Sequence, residues 1–303
     1  MTYPRAVLLL GSVAGMSSIP RTNAVEPPEP APDPRKEEAR VAPHAPGASI
    51  LRFTPISATV LTKNSASRLG EVLAALAWCD EVVVLDTGST DETVAIARRY
   101  PNVSLHHLEG PFPGFGRARR RAVELARFDW ILSIDSDEIV SPELAAEIGA
   151  LQLDPRVVYT LPFDNYFNGR RITRCGWSPD RHERLFNRRS TSFCESAVHE
   201  RVRTADLSLR ALRHPVRHYS YDSVDDFLRK MTHYSRLFAE QNAGRRKAGP
   251  ARAAARSLWA FFQSYVLRLG FLEGYEGFVI SATRSQSVFW KYILLHEANQ
   301  RRP

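Results

Sequence analysis

Cysteine and long apolar runs are scarce in this chain of 303 residues. The three cysteines, Cys79, Cys175 and Cys194, show no C-x-x-C spacing and no even framework. A zinc site and a disulfide scaffold are therefore disfavoured, and a reducing compartment is expected. No stretch approaches the roughly 18 apolar residues of a membrane-spanning helix. Acids are outnumbered by lysine and arginine, 33 to 41, and the formal charge of +8 favours an anionic partner: nucleic acid, an acidic lipid surface or a phosphorylated substrate.

Residues 1–50 lack the composition of a folded segment. The stretch "PPEPAPDPRKEEARVAPHAPGA" is rich in proline, alanine and charge, and it cannot bury enough apolar surface to fold. We predict a disordered N-terminal tail. The short apolar run "AVLLLGSVAGM" at 6–16 leaves three interpretations open: a cleaved signal, an unstructured leader, or a start codon placed too early. The last two are favoured because a single arginine precedes the run.

From Ile56 onward, short β-branched runs alternate with helical patterns. "ISATVLT", "EVVVLDTGS" and "WILSID" read as buried strands, and Leu69, Val72, Leu73 and Leu76 have the spacing of an amphipathic helix. This alternation predicts an α/β domain over 51–222, with a mostly parallel, Rossmann-like sheet flanked by helices. Ligands of such sheets bind beyond the carboxyl ends of the strands.

Two of the predicted strands end in acids, at Asp86 and at Asp135, so both carboxylates are expected at one rim of the sheet. Asp135 and Asp137 form a D-x-D. Alternate side chains of an extended segment point the same way, so both can face one ion. Oxygen ligands of this kind suit Mg²⁺ or Mn²⁺, although a solvated turn produces the same motif.

The combined motifs resemble a known family. The segment "ISATVLTKNSASRLGEVLAALAWCDEVVVLDTGSTDETVAIARRY", then "ILSIDSDEIV", "CGWSPDRHERLFNRR" and "AVHERV", is similar over roughly residues 55–240 to family-2 glycosyltransferases of the GT-A fold. Within that family it looks most like the bacterial lipopolysaccharide-core β-glucosyltransferase group.

The resemblance implies a nucleotide-sugar donor such as a UDP-sugar, Mg²⁺ or Mn²⁺ as cofactor, and transfer with inversion at the anomeric carbon. It assigns the nucleobase contact to Asp86, the ribose or a water-mediated metal contact to Asp135, and metal ligation to Asp137. By the same resemblance, other residues line the nucleotide pocket or support its loop: Thr62, Lys63, Asn64, Ser89 and Asp91.

This chain departs from its relatives at two places. Ser65 stands where they usually carry glutamate, which puts details of the nucleotide pocket in doubt. The run Arg119–Arg121 stands where they usually have asparagine. It either brings a cation toward the phosphates or forms a solvated basic face, and the face is favoured.

An inverting transfer needs a base for the acceptor hydroxyl. The resemblance points to Asp180 in "GWSPDRHERLF"; the alternative is that Asp180 only pairs with Arg184, four residues on. Trp177 is either a floor for a sugar ring or plain core. In "VHERV", Glu200 is a further candidate and His199 is a candidate metal ligand, although a lone histidine is more often structural. His182, His214 and His218 are weaker candidates.

Residues 223–303 predict a helical extension, capped at Ser223 and continued by an apolar face at Phe227, Leu228, Met231, Tyr234 and Phe238. No acid occurs between Glu240 and Glu273, and the aromatic "LWAFFQSYVLRLGFL" follows a basic segment. The extension is either an ordinary helix closing the core, or a membrane-interface and acceptor region on anionic lipid.

We therefore expect a metal-dependent, inverting glycosyltransferase acting on a saccharide or lipid-linked saccharide, in the cytoplasm or on the inner face of the cytoplasmic membrane. A nucleic-acid-binding protein is the first alternative; no helix-turn-helix, zinc-finger or RNP pattern supports it, so nucleic acid is not expected as a partner. A nucleotidyltransferase is the second, but the first strand lacks a glycine-rich phosphate loop.

Overall fold

A computed structural model describes residues 54–194 and 201–301. The predicted tail over 1–50 and the candidates His199 and Glu200 lie outside the described residues. Strands and helices alternate through the first half of the chain, as predicted, and helices fill the last quarter. The strands are β1 (Ile56–Thr62), β2 (Glu81–Asp86), β3 (Val103–His107), β4 (Trp130–Asp135), β5 (Glu138–Val140), β6 (Val157–Phe167), β7 (Arg170–Ile172), β8 (Arg181–Asn187), β9 (Ser208–Ala211) and β10 (Val216–Tyr221).

The α-helices follow the same order of the chain. They are α1 (Leu69–Ala75), α2 (Thr93–Ala97), α3 (Phe115–Leu125), α4 (Pro142–Gly149), α5 (Val224–Asn242), α6 (Pro250–Phe262) and α7 (Gly274–Gln300). A π-helical turn over Gln263–Leu267 and a 3₁₀ turn over Gly270–Glu273 connect α6 to α7. Within the described ranges, none of the helices combines the length and the hydrophobicity that a membrane span requires.

The strands form one sheet in the order β3-β2-β1-β4-β8-β6-β10-β5, with β7 and β9 pairing to β6. The four strands from β3 to β4 are parallel, which confirms the predicted Rossmann-like half. Beyond β4 the pairing becomes mixed, since β8 runs antiparallel to both β4 and β6. The sheet with helices around it is the α/β architecture expected from the sequence.

The parallel register explains why the acids meet at one rim. Thr62 pairs with Asp86 and Leu61 pairs with Asp135, so β1, β2 and β4 end at the same level. Their central residues are shielded from water because α1 covers one face: Leu69, Val72 and Leu73 are buried against the strands. The buried strands therefore hold the rim in place, and the polar residues that follow them form the site.

The C-terminal helices dock on the sheet through a second cluster. Phe167 and Ile172 from the β6–β7 hairpin pack with Cys175, Phe227 of α5 and Ile280 of α7. The cap prediction is confirmed, because the Ser223 hydroxyl accepts the Asp226 N–H at 3.2 Å.

The predicted apolar face of α5 is wrong in part. Leu228 and Tyr234 are exposed, while Ser235 and Ala239 are buried with Phe227. The helix turns small side chains toward its neighbour α7, and the two pack closely as a result. Close packing of α5 against α7 requires small side chains on the buried face. A prediction based on large apolar side chains therefore identified a different face.

Candidate active site

Asp86 organises the loop that follows β2. Its carboxylate accepts the backbone N–H groups of Gly88 and Ser89 at 3.1 Å each, together with the Ser89 hydroxyl and, at 3.3 Å, the Thr62 hydroxyl. Burial opposes ionisation, but these hydrogen bonds outweigh it and hold the pKa of Asp86 below its usual range. Asp86 is therefore ionised at the rim of the sheet. Nδ1 of the exposed His107 ring lies 3.5 Å from its Oδ2.

The loops after β1 and β2 are joined by side-chain to backbone hydrogen bonds. The Asn64 N–H donates to the Ser89 hydroxyl at 2.9 Å, and Asn64 Oδ1 accepts the Thr90 N–H at 2.8 Å. Asn64 has φ 51°, the left-handed region that asparagine tolerates better than most residues. Asp91 accepts the Ala66 N–H at 3.1 Å and lies next to Thr93. The predicted pocket residues thus belong to one loop pair, from which Lys63 projects into solvent.

Ser65 connects this loop pair to the D-x-D. Its hydroxyl is 2.8 Å from that of Ser136, the residue between the two acids. Glutamate, the residue that the family resemblance leads one to expect at this position, would add charge beside Asp135 and Asp137. The short serine instead makes a neutral link between the two halves of the rim.

Asp135 is held by two guanidinium groups. Arg119 Nη2 lies 2.6 Å from Oδ1, and Arg184 Nη2 lies 3.1 Å from Oδ2. Burial acts against the anion, but the two arginines prevail and hold the pKa of Asp135 far below its ordinary value. Arg184 also binds Glu138 at 2.5 Å, where burial is the main cause of a pKa raised well above the usual one. Both Asp135 oxygens therefore already have cationic partners.

The solvated-face interpretation of Arg119–Arg121 is wrong for its first residue. Arg119 is buried, with its guanidinium between Asp135 and the Phe193 ring. Arg121 is exposed, and its one ion pair among the described residues is with Glu124 at 3.3 Å. Arg119 lies on the same helical stripe as Ala122 and Val123, so the helix periodicity turns it toward the sheet while Arg121 faces water. The run thus supplies one cation to the rim.

Asp137 is the more exposed of the two D-x-D acids, although still partly buried, and it faces His218. It lies in the turn between β4 and β5, its side chain is 36% exposed, and Oδ2 is 3.8 Å from His218 Nε2. Burial and the nearby Asp135 charge raise the pKa of Asp137, although His218 opposes the shift. This carboxylate has no guanidinium partner among the described residues, so its anion is poorly compensated.

Asn165 fixes the proton of His218. The Asn165 Nδ2 donates to the Trp177 carbonyl at 3.1 Å and to Asp180 Oδ2 at 2.9 Å, so Oδ1 is the acceptor that faces His218 Nδ1 at 2.8 Å. The imidazole proton therefore sits on Nδ1, and the Nε2 lone pair points toward Asp137. Burial also lowers the pKa of His218, which favours the neutral ring.

Asp180 stands at the other end of this chain of hydrogen bonds. Its Oδ1 is 3.0 Å from His182 Nε2, and its Oδ2 accepts from Asn165. Burial disfavours the charge, but the His182 and Asn165 hydrogen bonds keep the pKa of Asp180 below its usual value. The alternative pairing with Arg184 is wrong, because Arg184 binds Asp135 and Glu138 instead.

Trp177 is half-buried, three residues before Asp180. Its ring lies 6.0 Å from those of Tyr221 and Phe227, so one side of the indole belongs to the core. The other weaker histidine candidate, His214, binds Glu147 at 2.9 Å on a different edge of the molecule. The sugar-floor role of Trp177 stays a prediction.

The residues present fit a divalent cation that shares its shell with phosphate and water. Within the described part of the chain, no group of three or more His, Cys, Asp and Glu side chains is arranged to hold a metal. Asp137 and His218 nevertheless offer a poorly compensated carboxylate and a lone pair to the same point. Mg²⁺ is commonly bound through one or two carboxylates plus substrate phosphates, so two protein ligands suffice. His199, the predicted histidine ligand, lies outside the described residues.

The sequence analysis did not identify Asn165, gave Arg184 only as a possible partner of Asp180, and gave His218 only as a weaker candidate. A single histidine in a short strand has no distinctive signal. Asn165 lies within the strand-like "LPFDNYF", in which nothing marks it as buried. The alternating pattern of β10, with Val216 buried and His218 two residues on, is the available hint that His218 shares its face with the rim.

Comparison with known proteins places this site in a family. The sequence profile described as Glycosyl transferase family 2 matches residues 57–208, half of the chain. An uncharacterized glycosyltransferase of Rickettsia felis is 29% identical, over 80% of this chain and 90% of that protein. The lipopolysaccharide core biosynthesis glycosyltransferase LpsC of Rhizobium meliloti is 27% identical, over 62% of this chain and 71% of that protein.

A crystal structure of Staphylococcus aureus TarS in complex with UDP-GlcNAc has 17% identity and a TM-score of 0.41, covering 81% of this chain and 92% of TarS 1–349. A TM-score of this size does not carry the assignment, which rests on the sequence match. That match decides among the three interpretations of the sequence, against nucleic-acid binding and nucleotidyl transfer. The chain belongs to glycosyl transferase family 2, and it is a glycosyltransferase with the predicted GT-A fold.

Proposed function

We propose that this glycosyltransferase moves a sugar from a nucleoside-diphosphate donor, such as a UDP-sugar, to a saccharide hydroxyl in a single, metal-dependent displacement with inversion. One observation carries the proposal. Two hydrogen bonds, from His218 to Asn165 and from Asn165 to Asp180, connect the candidate base to a histidine whose Nε2 lies 3.8 Å from the poorly compensated Asp137 carboxylate. The Asp137 end suits the departure of the diphosphate, and the Asp180 end suits the attack by the acceptor hydroxyl.

The donor side is assigned to the loop pair after β1 and β2. Asp86 would accept a hydrogen bond from the nucleobase, with Thr62, Lys63 and Asn64 around base and ribose. Ser89 and Asp91 hold the loops in place. The exposed Lys63 and the buried Arg119 supply positive charge on the phosphate side. Asp135 contacts the ribose or acts on the cation through water, since its oxygens are bound by Arg119 and Arg184.

The acceptor side is assigned to Asp180. Its carboxylate would take the proton of the acceptor hydroxyl as that oxygen forms a bond to the anomeric carbon. The bond from that carbon to the diphosphate oxygen breaks, and the electron pair leaves with the diphosphate. Attack from the side opposite the leaving group inverts the anomeric centre. The lowered pKa keeps Asp180 ionised at neutral pH, as a base must be.

Mg²⁺ or Mn²⁺, when bound, would neutralise charge on the diphosphate. Asp137 and His218 would hold it, and the Asn165 hydrogen bond keeps the His218 lone pair directed at that point. This arrangement supports metal dependence from the chemistry of the ligands alone.

The acceptor class is proposed from the relatives. LpsC is named for lipopolysaccharide core biosynthesis. A lipid-linked saccharide of the cell envelope, such as a lipopolysaccharide core, is the corresponding acceptor here. The predicted position on the inner face of the cytoplasmic membrane is part of the same proposal.

The test is a thermal-shift screen of the purified chain with nucleoside diphosphates and nucleotide sugars, with and without Mn²⁺. A ligand that binds only the native state raises the melting temperature. We expect a rise with UDP or a UDP-sugar that depends on Mn²⁺, followed by release of the nucleoside diphosphate when the sugar is transferred. No response to any nucleotide with any divalent ion, or transfer that is unimpaired in EDTA, contradicts the proposal.

A further inference from the structure

The connection between α6 and α7 carries a concentrated apolar surface. Leu258 is 72% exposed, Tyr275 61% and Trp259 56%, values that are unusual for side chains of this size. We refer to this surface as the apolar tip: Leu258, Trp259, Phe262, Val266, Leu267, Leu269, Phe271, Leu272, Tyr275 and Phe278, each more than a third exposed. A concentration of exposed apolar side chains of this kind is typical of an interaction site.

The apolar tip is held on an ordered scaffold. The Tyr265 ring lies 5.2 to 6.3 Å from the rings of Phe261, Phe271 and Phe278. Gly277 lies directly against the Gly270 carbonyl, with no room for a Cβ, so the 3₁₀ turn packs tightly on the first turn of α7. Leu269 adopts φ 56°, a conformation rare for a bulky residue, yet its side chain remains exposed. The scaffold thus presents apolar groups to the outside instead of burying them.

Cations border the apolar tip, and its two acids are compensated: Glu273 is buried, and Glu276 pairs with Arg170 at 3.1 Å. No Asp or Glu occurs from residue 241 to 272, while six basic residues do. Arg252 and Arg256 precede Trp259 by seven and three residues on α6, which is about 10 Å and about 4–5 Å along the helix axis. Both are exposed, and Arg268 is exposed within the turn itself. This arrangement suits a bilayer surface: the apolar side chains would lie among the lipid headgroups and upper acyl chains, and the arginines one or two helical turns away would lie beside the anionic headgroups.

The apolar tip is clamped to the loop that carries the acceptor-side residues. Glu273 is buried, and its Oε1 accepts the Thr173 and Arg174 N–H groups at 2.8 and 2.9 Å. The Cys175 N–H donates to the Arg268 carbonyl at 3.1 Å, and the Arg268 side chain fills the space beside Gly176. Residues 173–176 run directly into Trp177 and Asp180. Whatever the tip binds is therefore brought next to the candidate base.

We infer that the apolar tip inserts into the headgroup region of an anionic lipid bilayer and so presents the Trp177–Asp180 loop to an acceptor embedded in that bilayer. The lipid-linked acceptor rests on the proposed function. The binding of the apolar tip to a bilayer is inferred independently of that function. The sign of the bordering charges selects an anionic membrane. A second copy of the chain would bring the same cations against each other, so self-association through this surface is disfavoured.

The experiment is co-sedimentation of the full chain with sucrose-loaded vesicles of phosphatidylcholine alone, or of equal parts phosphatidylcholine and phosphatidylglycerol. We expect binding to the anionic vesicles and little to the neutral ones. The triple variant Leu258→Gln, Trp259→Gln, Leu272→Gln should lower binding about tenfold or more, because it removes three exposed apolar side chains from the tip. The double variant Arg252→Gln, Arg256→Gln should weaken binding to anionic vesicles only.

A matched triple variant controls for the loss of surface apolarity: Leu209→Gln, Leu228→Gln, Trp290→Gln. These side chains are also exposed but lie outside the tip, and we expect wild-type binding. Equal losses in both triple variants, or no vesicle binding by wild type, would overturn the inference. So would a dimer in analytical ultracentrifugation that the tip variant dissociates, since that assigns the surface to a second copy. The Mn²⁺-dependent thermal shift with UDP, measured on the same variants, reports separately on the proposed function.

Discussion

The folded environment of Asp137 favours its protonated form, whereas the proposed metal binding requires its anion. Burial and the Asp135 charge raise its pKa, so the folded chain disfavours the anion that metal binding requires. A raised folded-state pKa contributes stability below the unfolded value, and that contribution is lost as pH rises through the folded value. At neutral pH the ionised Asp137 therefore costs stability until a cation compensates it.

The first prediction is that Asp137→Asn raises the melting temperature of the metal-free chain while it abolishes transfer. The gain should be present at pH 7–8 and should vanish below about pH 4, where the carboxyl of the wild type is protonated in both states. Each kcal/mol corresponds to about 2–4 °C in a chain of this size. Partial exposure of the side chain keeps the gain modest. A variant that is less stable than wild type at pH 7.5 would show that Asp137 has a structural role.

The second prediction concerns the base. Asp180→Asn keeps the shape of the side chain and removes its basicity, so kcat should fall by about 10²–10⁴-fold with donor affinity unchanged. Because hydrogen bonds hold the pKa of Asp180 below its usual range, the base stays ionised throughout the working pH range. The ratio of wild-type to variant kcat should therefore be constant from pH 5 to 8. A ratio that falls as pH drops through 6 to 7 would point to an imidazole base instead.

The third prediction separates Asn165 from a purely structural residue. Asn165→Ala leaves His218 free to place its proton on either nitrogen and removes a donor from Asp180. We expect both the Mn²⁺ concentration for half-maximal activity to rise and kcat to fall. The matched variant Asn102→Ala also loses an amide that donates only to backbone carbonyls, of Leu76 and Cys79, and it should leave the Mn²⁺ requirement unchanged.

At the scale of elements, sequence periodicity predicted the structural features that depend on residues close together in the chain. The acids at the rim were predictable because parallel strands of similar length end together, as Thr62 and Asp86 do. The Asp180–Arg184 pairing failed because four residues bring side chains together only in a helix. Residues 181–187 form a strand, in which four residues span about 13 Å. Arg184 thus reaches the next strand, and its partners Asp135 and Glu138 are distant in sequence.

The Asp137–His218–Asn165–Asp180 connection was unpredictable for the same reason. It depends on β10 lying between β6 and β5, with His218 level with both Asn165 and Glu138. Nothing in one sequence reports which strand becomes the neighbour of which. In the C-terminal helices, composition alone identified an aromatic segment that is poor in acids, but it left open whether the segment closes the core or faces outward.

The fourth prediction concerns the clamp between α7 and the acceptor-side loop. Glu273→Ala removes the carboxylate that accepts the part-buried Thr173 and Arg174 N–H groups, which costs about 1–3 kcal/mol. The melting temperature should fall by several degrees, and kcat should fall with the donor KM unchanged, because the clamp lies on the acceptor side. Glu297→Ala, on the exposed end of α7, is the control and should change neither. A rise in donor KM alone would show that the clamp acts on the nucleotide loops.

At the scale of the whole molecule, the proposal joins the charge, the apolar tip and the active site in one event. The net charge of +8 would draw the chain toward an anionic membrane, and the clamp through Glu273 would hold the Trp177–Asp180 loop beside the membrane that the tip enters. Long-range attraction of this kind is screened by salt, since the Debye length falls from about 10 Å at 0.1 M to about 3 Å at 1 M. The proposed proton transfer to Asp180 would involve short contacts, which salt screens far less.

The last prediction follows from that difference. With a lipid-anchored saccharide acceptor in anionic vesicles, raising the salt from 0.1 M to 1 M should lower kcat/KM by about tenfold or more, as surface attraction is screened. With the same saccharide freed of its lipid, kcat/KM should be lower at 0.1 M salt and nearly independent of salt. The Leu258→Gln, Trp259→Gln, Leu272→Gln variant should lose most of the advantage of the lipid-anchored acceptor and keep the activity on the free one. Equal salt dependence with both acceptors would show that the basic residues act on the donor phosphates, and that the membrane surface plays no part in turnover.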